Sequence, residues 1–280
     1  AAGTPTDLTK DIISLTQSIL PATRYALVIV LDNSKGQYAT PPAKRSEVAL
    51  KLGYKTTAGD EAVEVGRYWI DGWEYSSSPS QSLFTIYCVD GGGLSARWAA
   101  RYQMSWGQVE FPGSTVWQIL LTLLCRWGIK LWEKVGVPKS NAIDNFYPAF
   151  TLQPGTKGDA ATRRVLSFVP DGLIYDGVKA YTKDLRVDEA SSYSYGTDPG
   201  DHIILSGEYH QAIPASRARA IGRAADDSRI VEDAFDWDNL ELGIDNLEQA
   251  YDPNLNNATR TQERADAILR TESLRAKRGT

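Results

Sequence analysis

Val65–Tyr75 reads VGRYWIDGWEY and Ser82–Val89 reads SLFTIYCV. These two stretches decide the fold class, because both are dense in aromatic and β-branched residues and short enough to be strands. Between them, Ser76-Ser77-Ser78-Pro79-Ser80-Gln81 is polar and carries proline. That composition predicts a hairpin connection. Large apolar groups occupy both alternating sets of positions, Trp69 and Trp73 on one and Tyr68 and Ile70 on the other. A sheet buried on both sides explains this, as does one face closed into a barrel while the other meets a partner. Upstream, Arg24–Leu31 (RYALVIVL) is another strand-like run, ended by the turn cluster Asp32-Asn33-Ser34-Lys35-Gly36. Asp90-Gly91-Gly92-Gly93 closes the strand at Val89 as a tight turn.

Downstream the period changes. Val116–Trp127 places Val116, Ile119, Leu120, Leu123, Leu124 and Trp127 at helical spacing. Thr115 and Gln118 form a capping box, and Gly128 stands where a helix-ending glycine belongs. The segment is apolar almost all round, so a buried helix is expected. Ile129–Trp132 reads as a short strand leaving it. Asp159 is expected to cap a helix over Ala160–Phe168, and Asp176-Gly177 to turn a hairpin between Leu173–Tyr175 and Lys179–Thr182. Ser191–Gly200 reads as a loop, with strands again at Ile203–Ser206 and Glu208–Ala212. A charged helix over 260–277, capped by Thr259 with Gln262, carries only the thin apolar stripe Ala265, Ile268 and Leu269. Such a helix must lie on another element or another chain.

The chemistry is sparse. The chain of 280 residues carries 30 Lys and Arg against 35 Asp and Glu, a net of −5. That balance argues against polyanion binding through bulk charge. No run approaches 18 consecutive apolar residues, so no membrane insertion is expected. His202 and His210, on one extended strand, would be roughly 26 Å apart. They therefore suit one metal only if the chain folds back at Gly207. Cys88 and Cys125 lie in apolar runs and read as reduced, buried, unreactive thiols. Nucleophile elbows, phosphate-binding loops and zinc-protease motifs are all missing. Ten acids in 226–252 invite comparison with a calcium loop, but Leu240 and Glu241 stand where an acid and a glycine are required. A solvated face or a docking surface for a basic partner is the better reading. No catalytic, cofactor or metal residue is nominated, and the chain is expected not to be an enzyme. One alternative stays open: Trp69, Trp73, Trp98, Trp106 and Trp117 lining a carbohydrate cleft with a carboxylate pair, to bind or hydrolyse cell-wall glycans.

Several segments together resemble the hub proteins of phage tail baseplates and tail tips. They are Leu31–Tyr38 with its Asn-x-x-Gly-x-Tyr opening, Gly66–Trp73, Leu83–Asp90, and the helix ending in Trp127-Gly128-Ile129-Lys130-Leu131. Arg163–Asp171, Ser192–Asp198, and Tyr251–Leu255 with Gln262–Ala265 continue the likeness. The resemblance implies a mixed, β-rich α+β chain of several domains: β-barrel hub domains with inserted helices. Residues 1–136 would form the first barrel with the buried helix 116–127, residues 137–200 a small α+β domain, and 201–280 part of a second barrel with the charged helix, incomplete at the C-terminus. It further implies a structural virion protein, a homotrimeric ring joining a sixfold tail tube to a threefold spike or tip. Its partners would be tail-tube and distal tail proteins, the spike or tip protein and the tape-measure protein, with DNA met only in passage through the lumen. The expected location is the phage tail, after assembly in the host cytoplasm, with no cofactor.

Overall fold

The computed structural model describes residues 5–18, 26–57, 59–107, 113–184 and 209–279. Its first sheet holds β1 (Ile12–Gln17), β2 (Leu27–Asp32), β3 (Glu47–Thr56), β4 (Gly59–Ser78) and β5 (Gln81–Val89) in the order β1-β2-β5-β4-β3, all antiparallel. It curls into a half-barrel whose edges are β1 and β3. The expected hairpin is present but tighter, since only Pro79 and Ser80 separate β4 from β5. On the inner face Leu27, Ile29, Leu31, Tyr68, Ile70, Phe84, Ile86 and Cys88 form a core. Burial pushes the Cys88 thiol up to about 12, with the negative charge of Asp71 adding to the shift.

The Asn-x-x-Gly-x-Tyr segment has a physical role in this core. Asn33 is buried, and its side-chain oxygen accepts the Tyr38 amide at 2.9 Å. Gly36 takes a left-handed φ of 70°, a conformation that costs glycine little. The turn so formed lays the Tyr38 ring flat on Phe84, with centroids 5.2 Å apart. The Tyr38 hydroxyl then donates to Asp11 at 2.6 Å. One turn thus ties the segment before β1 to the β2–β5 core.

Strand parity is where the sequence reading needs correction. Ile70 pairs with Cys88 but Gly72 pairs with Tyr87, leaving Asp71 as a bulged residue. The bulge inverts the alternation, so Trp73 stands opposite Ile86 and Tyr75 opposite Phe84. Trp73 therefore shares the inner face with Tyr68 and Ile70, instead of joining Trp69 on the other. Asp71 is held there by Arg97, whose guanidinium donates to it at 2.6 and 2.9 Å.

A second core lies behind the half-barrel. It gathers α1 (Gly91–Arg97), β6 (Met104–Trp106), α2 (Val116–Arg126), β7 (Lys130–Leu131), α3 (Asn141–Asn145), β8 (Phe150–Leu152), α4 (Gly158–Leu166), β9 (Asp171–Asp176) and β10 (Lys179–Asp184). Asp90 to Gly93 is the capped start of α1 rather than a free turn, with the Asp90 carboxylate accepting the Gly93 amide at 2.8 Å. A side chain at Gly91 would run into the Tyr175 ring. The capping box of α2 is present in both directions, and Gly128 follows it with φ 85°. The helix is amphipathic rather than buried all round. Val116, Ile119, Leu120, Leu123 and Leu124 are buried, whereas Gln118, Leu121 and Cys125 face outward. Cys125 is accordingly exposed, contrary to the buried thiol expected. This core draws on both sides of residue 136, because α2 packs against β7, α3 and α4. The hairpin at Asp176-Gly177 is present, and β10 also pairs in parallel with β7. The helix expected over 160–168 starts earlier, with Lys157 in the capping position and Asp159 in its first turn.

The third core is small. β12 (Arg217–Arg223), β13 (Arg229–Phe235) and β14 (Leu247–Tyr251) form a sheet in the order β13-β12-β14, with α5 (Trp237–Glu241) between the last two strands in sequence. Ala218, Ala220, Ala234 and Leu255 meet Ala265 and Ile268 of α6 (Ala258–Ala276). The stripe read from sequence does lie on another element, the sheet of β12 and β13. Its cap is Asn257 rather than Thr259: the Asn257 side-chain oxygen accepts the Arg260 amide at 3.0 Å. β11 (Tyr209–Gln211) pairs with β15 (Lys277–Gly279). The loop at 191–200, the strand at 203–206 and His202 lie outside the described residues.

Candidate functional site

The carbohydrate alternative relies on exposed tryptophans, and four of the five named, Trp69, Trp98, Trp106 and Trp117, are partly buried against the second core. Trp69 packs against the second core from the outer side of β4. Trp98 lies 5.3 Å from Trp127, and Trp106 lies 5.5 Å from Phe150, both as packing rings. Trp73 is 43% exposed on the inner face of the half-barrel sheet, the side opposite Trp69. Trp117 lines a cleft of about 240 Å³ together with Trp132. Trp132 was not singled out by sequence, because a lone tryptophan after a two-residue strand carries no periodic signal. Within this cleft the Lys139 ammonium sits 4.6 Å from the Trp117 ring centroid and binds both Glu133 and Asp144. Its carboxylates are thus engaged with a cation of the same protein.

A carboxylate pair does occur elsewhere, and spacing alone could not reveal it. Asp171 and Asp184 are register partners on β9 and β10, and both are buried. Burial holds the Asp171 carboxyl above the usual range, against the lowering effect of two hydrogen bonds from Ser140. Those bonds come from the Ser140 amide at 3.0 Å and from its hydroxyl, and they anchor the chain where α3 begins. Asp184 receives the Arg270 guanidinium of α6 at 3.1 Å. Both carboxylates therefore join elements. Among the described residues no group of three or more His, Cys, Asp and Glu side chains comes together as metal ligands would. No helix among them is long and apolar enough to cross a membrane.

What the described molecule does present is surface suited to contact. The half-barrel leaves two strand edges, β1 and β3, with unpaired backbone groups that can template further pairing. On β1, Ile12 and Ile13 are exposed, and on the β3–β4 arm so are Leu52, Val63 and Val65. A second bulge at Val65, between the Leu50–Gly66 and Lys51–Glu64 pairs, marks the root of this arm. Beyond it only β3 and β4 pair, because β5 reaches no further along β4 than Trp69. Apolar side chains on a two-stranded arm have no core to enter, so their presence there points to a partner.

No protein-family profile and no curated protein matches the chain. Solved structures do. The tail protein from Neisseria meningitidis MC58 aligns with a TM-score of 0.55 at 12% identity, over 91% of this chain and 69% of its own. The 43 kDa tail protein of prophage MuSo2 from Shewanella oneidensis aligns with a TM-score of 0.51 at 14% identity, over 92% and 74%. At such identities the likeness establishes a shared fold.

Proposed function

We propose that the chain is a structural subunit of a phage tail, forming the hub of a baseplate or tail tip. The observation that carries this reading is fold agreement along nine-tenths of the chain with a protein described as a tail protein. Open strand edges, an apolar two-stranded arm and buried carboxylates committed to joining elements all favour an assembly part over a catalyst. In this reading the subunit is not an enzyme, and three copies form a ring that adapts a sixfold tail tube to a threefold spike or tip. The half-barrel supplies one barrel-like unit of each subunit, and the sheet with α6 belongs to a second. Tube, distal tail, spike and tape-measure proteins are its partners, and DNA passes through the lumen only on ejection. The protein then resides in the virion tail, after assembly in the host cytoplasm.

Imaging of the intact particle tests this directly. A threefold ring at the tail end, labelled by antibody against this chain, is the expected result. Absence of the protein from purified tails overturns the reading.

A further inference from the structure

Among the described residues, five buried side-chain nitrogens and oxygens have no hydrogen-bond partner, and two of them belong to residues lining one cleft. They are Trp132 Nε1 and Thr182 Oγ1, in the cleft of about 240 Å³ that Trp117 also lines. An unpaired buried polar group is costly, and folded proteins satisfy nearly all of theirs. Two at one cleft point to a ligand that supplies the missing partners.

The cleft arises from an irregularity at the edge of β10. β7 runs parallel to it, with Lys130 opposite Lys179 and Leu131 opposite Ala180, and the Trp132 amide donates to the Ala180 carbonyl at 2.9 Å. A regular parallel ladder would bring the Asp184 amide to the carbonyl of Lys134. It donates instead to Pro138 at 2.9 Å, so the chain carries four extra residues there. They turn back on themselves: the Val137 amide donates to Lys134 at 3.1 Å, and Gly136 takes a φ of 78°. The interruption falls beside Thr182, which is 4% exposed. An ammonium rests over each indole and holds its ring in place, Lys139 at 4.6 Å from the Trp117 centroid and Lys179 at 4.8 Å from that of Trp132.

We propose that this cleft binds a single neutral pyranose unit of a glycan, without cleaving it. Two indoles give apolar walls for the C–H face of a sugar ring, and a few placed polar groups fix its orientation. The Trp132 N–H only donates, whereas the Thr182 hydroxyl donates or accepts. Glu133 meets Lys139 through Oε1, which leaves Oε2 as an acceptor at the rim. Sugar hydroxyls both donate and accept, so one ring can serve all three. Charge is already balanced within the protein. Lys139 binds Glu133 at 2.5 Å and Asp144 at 2.7 Å, and Lys134 lies 3.7 Å from Asp176. An anionic ligand would meet no uncommitted lysine in this lining. The volume, room for about eight waters, suits one ring rather than an extended chain. Glu133 is ion-paired, so the cleft lacks the free carboxylate pair that glycoside hydrolysis uses. This binding function is separate from the assembly role.

The test follows the Trp132 indole N–H resonance of the full chain, identified by its loss in Trp132→Phe. Glucose, galactose, rhamnose or N-acetylglucosamine is added in turn, and saturable movement by at least one of them is expected in the millimolar range. Trp132→Phe keeps an apolar wall and removes the donor, and Thr182→Val removes the hydroxyl at nearly constant shape. Each should weaken binding about tenfold by calorimetry. Thr182→Val should also leave the melting temperature unchanged or raise it, because the free protein gives that hydroxyl no partner. A lower melting temperature would show a structural hydrogen bond and remove the premise. No movement with any of the four sugars overturns the proposal. So does movement caused only by a neutral, end-blocked peptide, or sugar binding that both variants leave intact. Particle imaging is independent of these results, so the tail assignment stands or falls separately.

Discussion

The second and third cores bury side chains of very different size. The second is built from Leu, Ile, Phe and Trp, including Ile119, Leu120, Leu123, Leu124, Phe150 and Ile143, all at most 1% exposed. The third is mostly alanine, with Leu255 and Ile268 as its large members. An alanine contributes far less apolar area than a leucine, so the third core gains less from burial alone. Small residues allow a helix to approach a sheet closely, and here the shortfall is offset by polar ties to the second core. The Asn254 side-chain oxygen accepts the Ala149 amide at 2.8 Å, and Arg260 lies 4.5 Å from the Phe146 ring centroid. One region is thus stable by packing, and the other by packing plus attachment. Hydrogen exchange should accordingly protect α2 amides more than those of β12 and β13.

That contrast can be broken most strongly in the second core. Leu123→Ala is expected to cost about 2–5 kcal/mol, since the side chain is wholly buried and the surroundings collapse only in part. Denaturant unfolding measures it. In the third core the damaging change is an addition: a Cβ on Gly222 would run into the Leu255 carbonyl oxygen. Gly222→Ala should therefore cost about 1–3 kcal/mol by overpacking, and faster exchange confined to β12–β14 and α6 is the expected signature. Equal exchange across the whole chain would instead mean that the cores unfold as one.

Attachment is weaker and easier to isolate. Asn254→Ala leaves the Ala149 amide without its acceptor, at a cost of about 1–2 kcal/mol, and should loosen the third core without altering α2 protection. The smallest effect concerns Asp233, which binds Arg217 and Arg219 across β12 and β13 at 2.7–2.8 Å. The hydrogen bond from Arg219, aided by Arg217, lowers its carboxyl from 3.8 to about 2. A carboxyl whose folded value lies below its unfolded value stabilises fully above the unfolded value. That contribution fades as pH falls from about 4 through about 2. Asp233→Asn should remove under about 1 kcal/mol at neutral pH and flatten the stability profile in that window. A mutant profile parallel to the native one would show that Asp233 is not the titrating group.

Much of the architecture was readable from local pattern. The α2 capping box, the β4–β5 hairpin and the Asp176-Gly177 turn depend on residues within a few positions of one another, and sequence displays those directly. The apolar stripe of α6 was legible too, although its cap was misplaced by two residues. Thr259 and Asn257 are both good capping residues, and the choice follows from where Leu255 enters the third core. Of the surfaces, the acidic segment was visible as composition.

By itself the sequence determined element type and the scarcity of reactive groups, since helical and strand periods and turn residues act over short range. Tertiary structure alone decided which way each side chain points and what it meets. The bulge at Asp71 exists only relative to β5, and it sends Trp73 to the opposite face from the one alternation assigns. Cys125 is exposed because α2 has neighbours on one side only. Asp171 and Asp184 became a buried pair because the β9–β10 register placed them opposite each other. Register and packing are long-range properties, fixed by contacts between segments, and no local window of residues contains them.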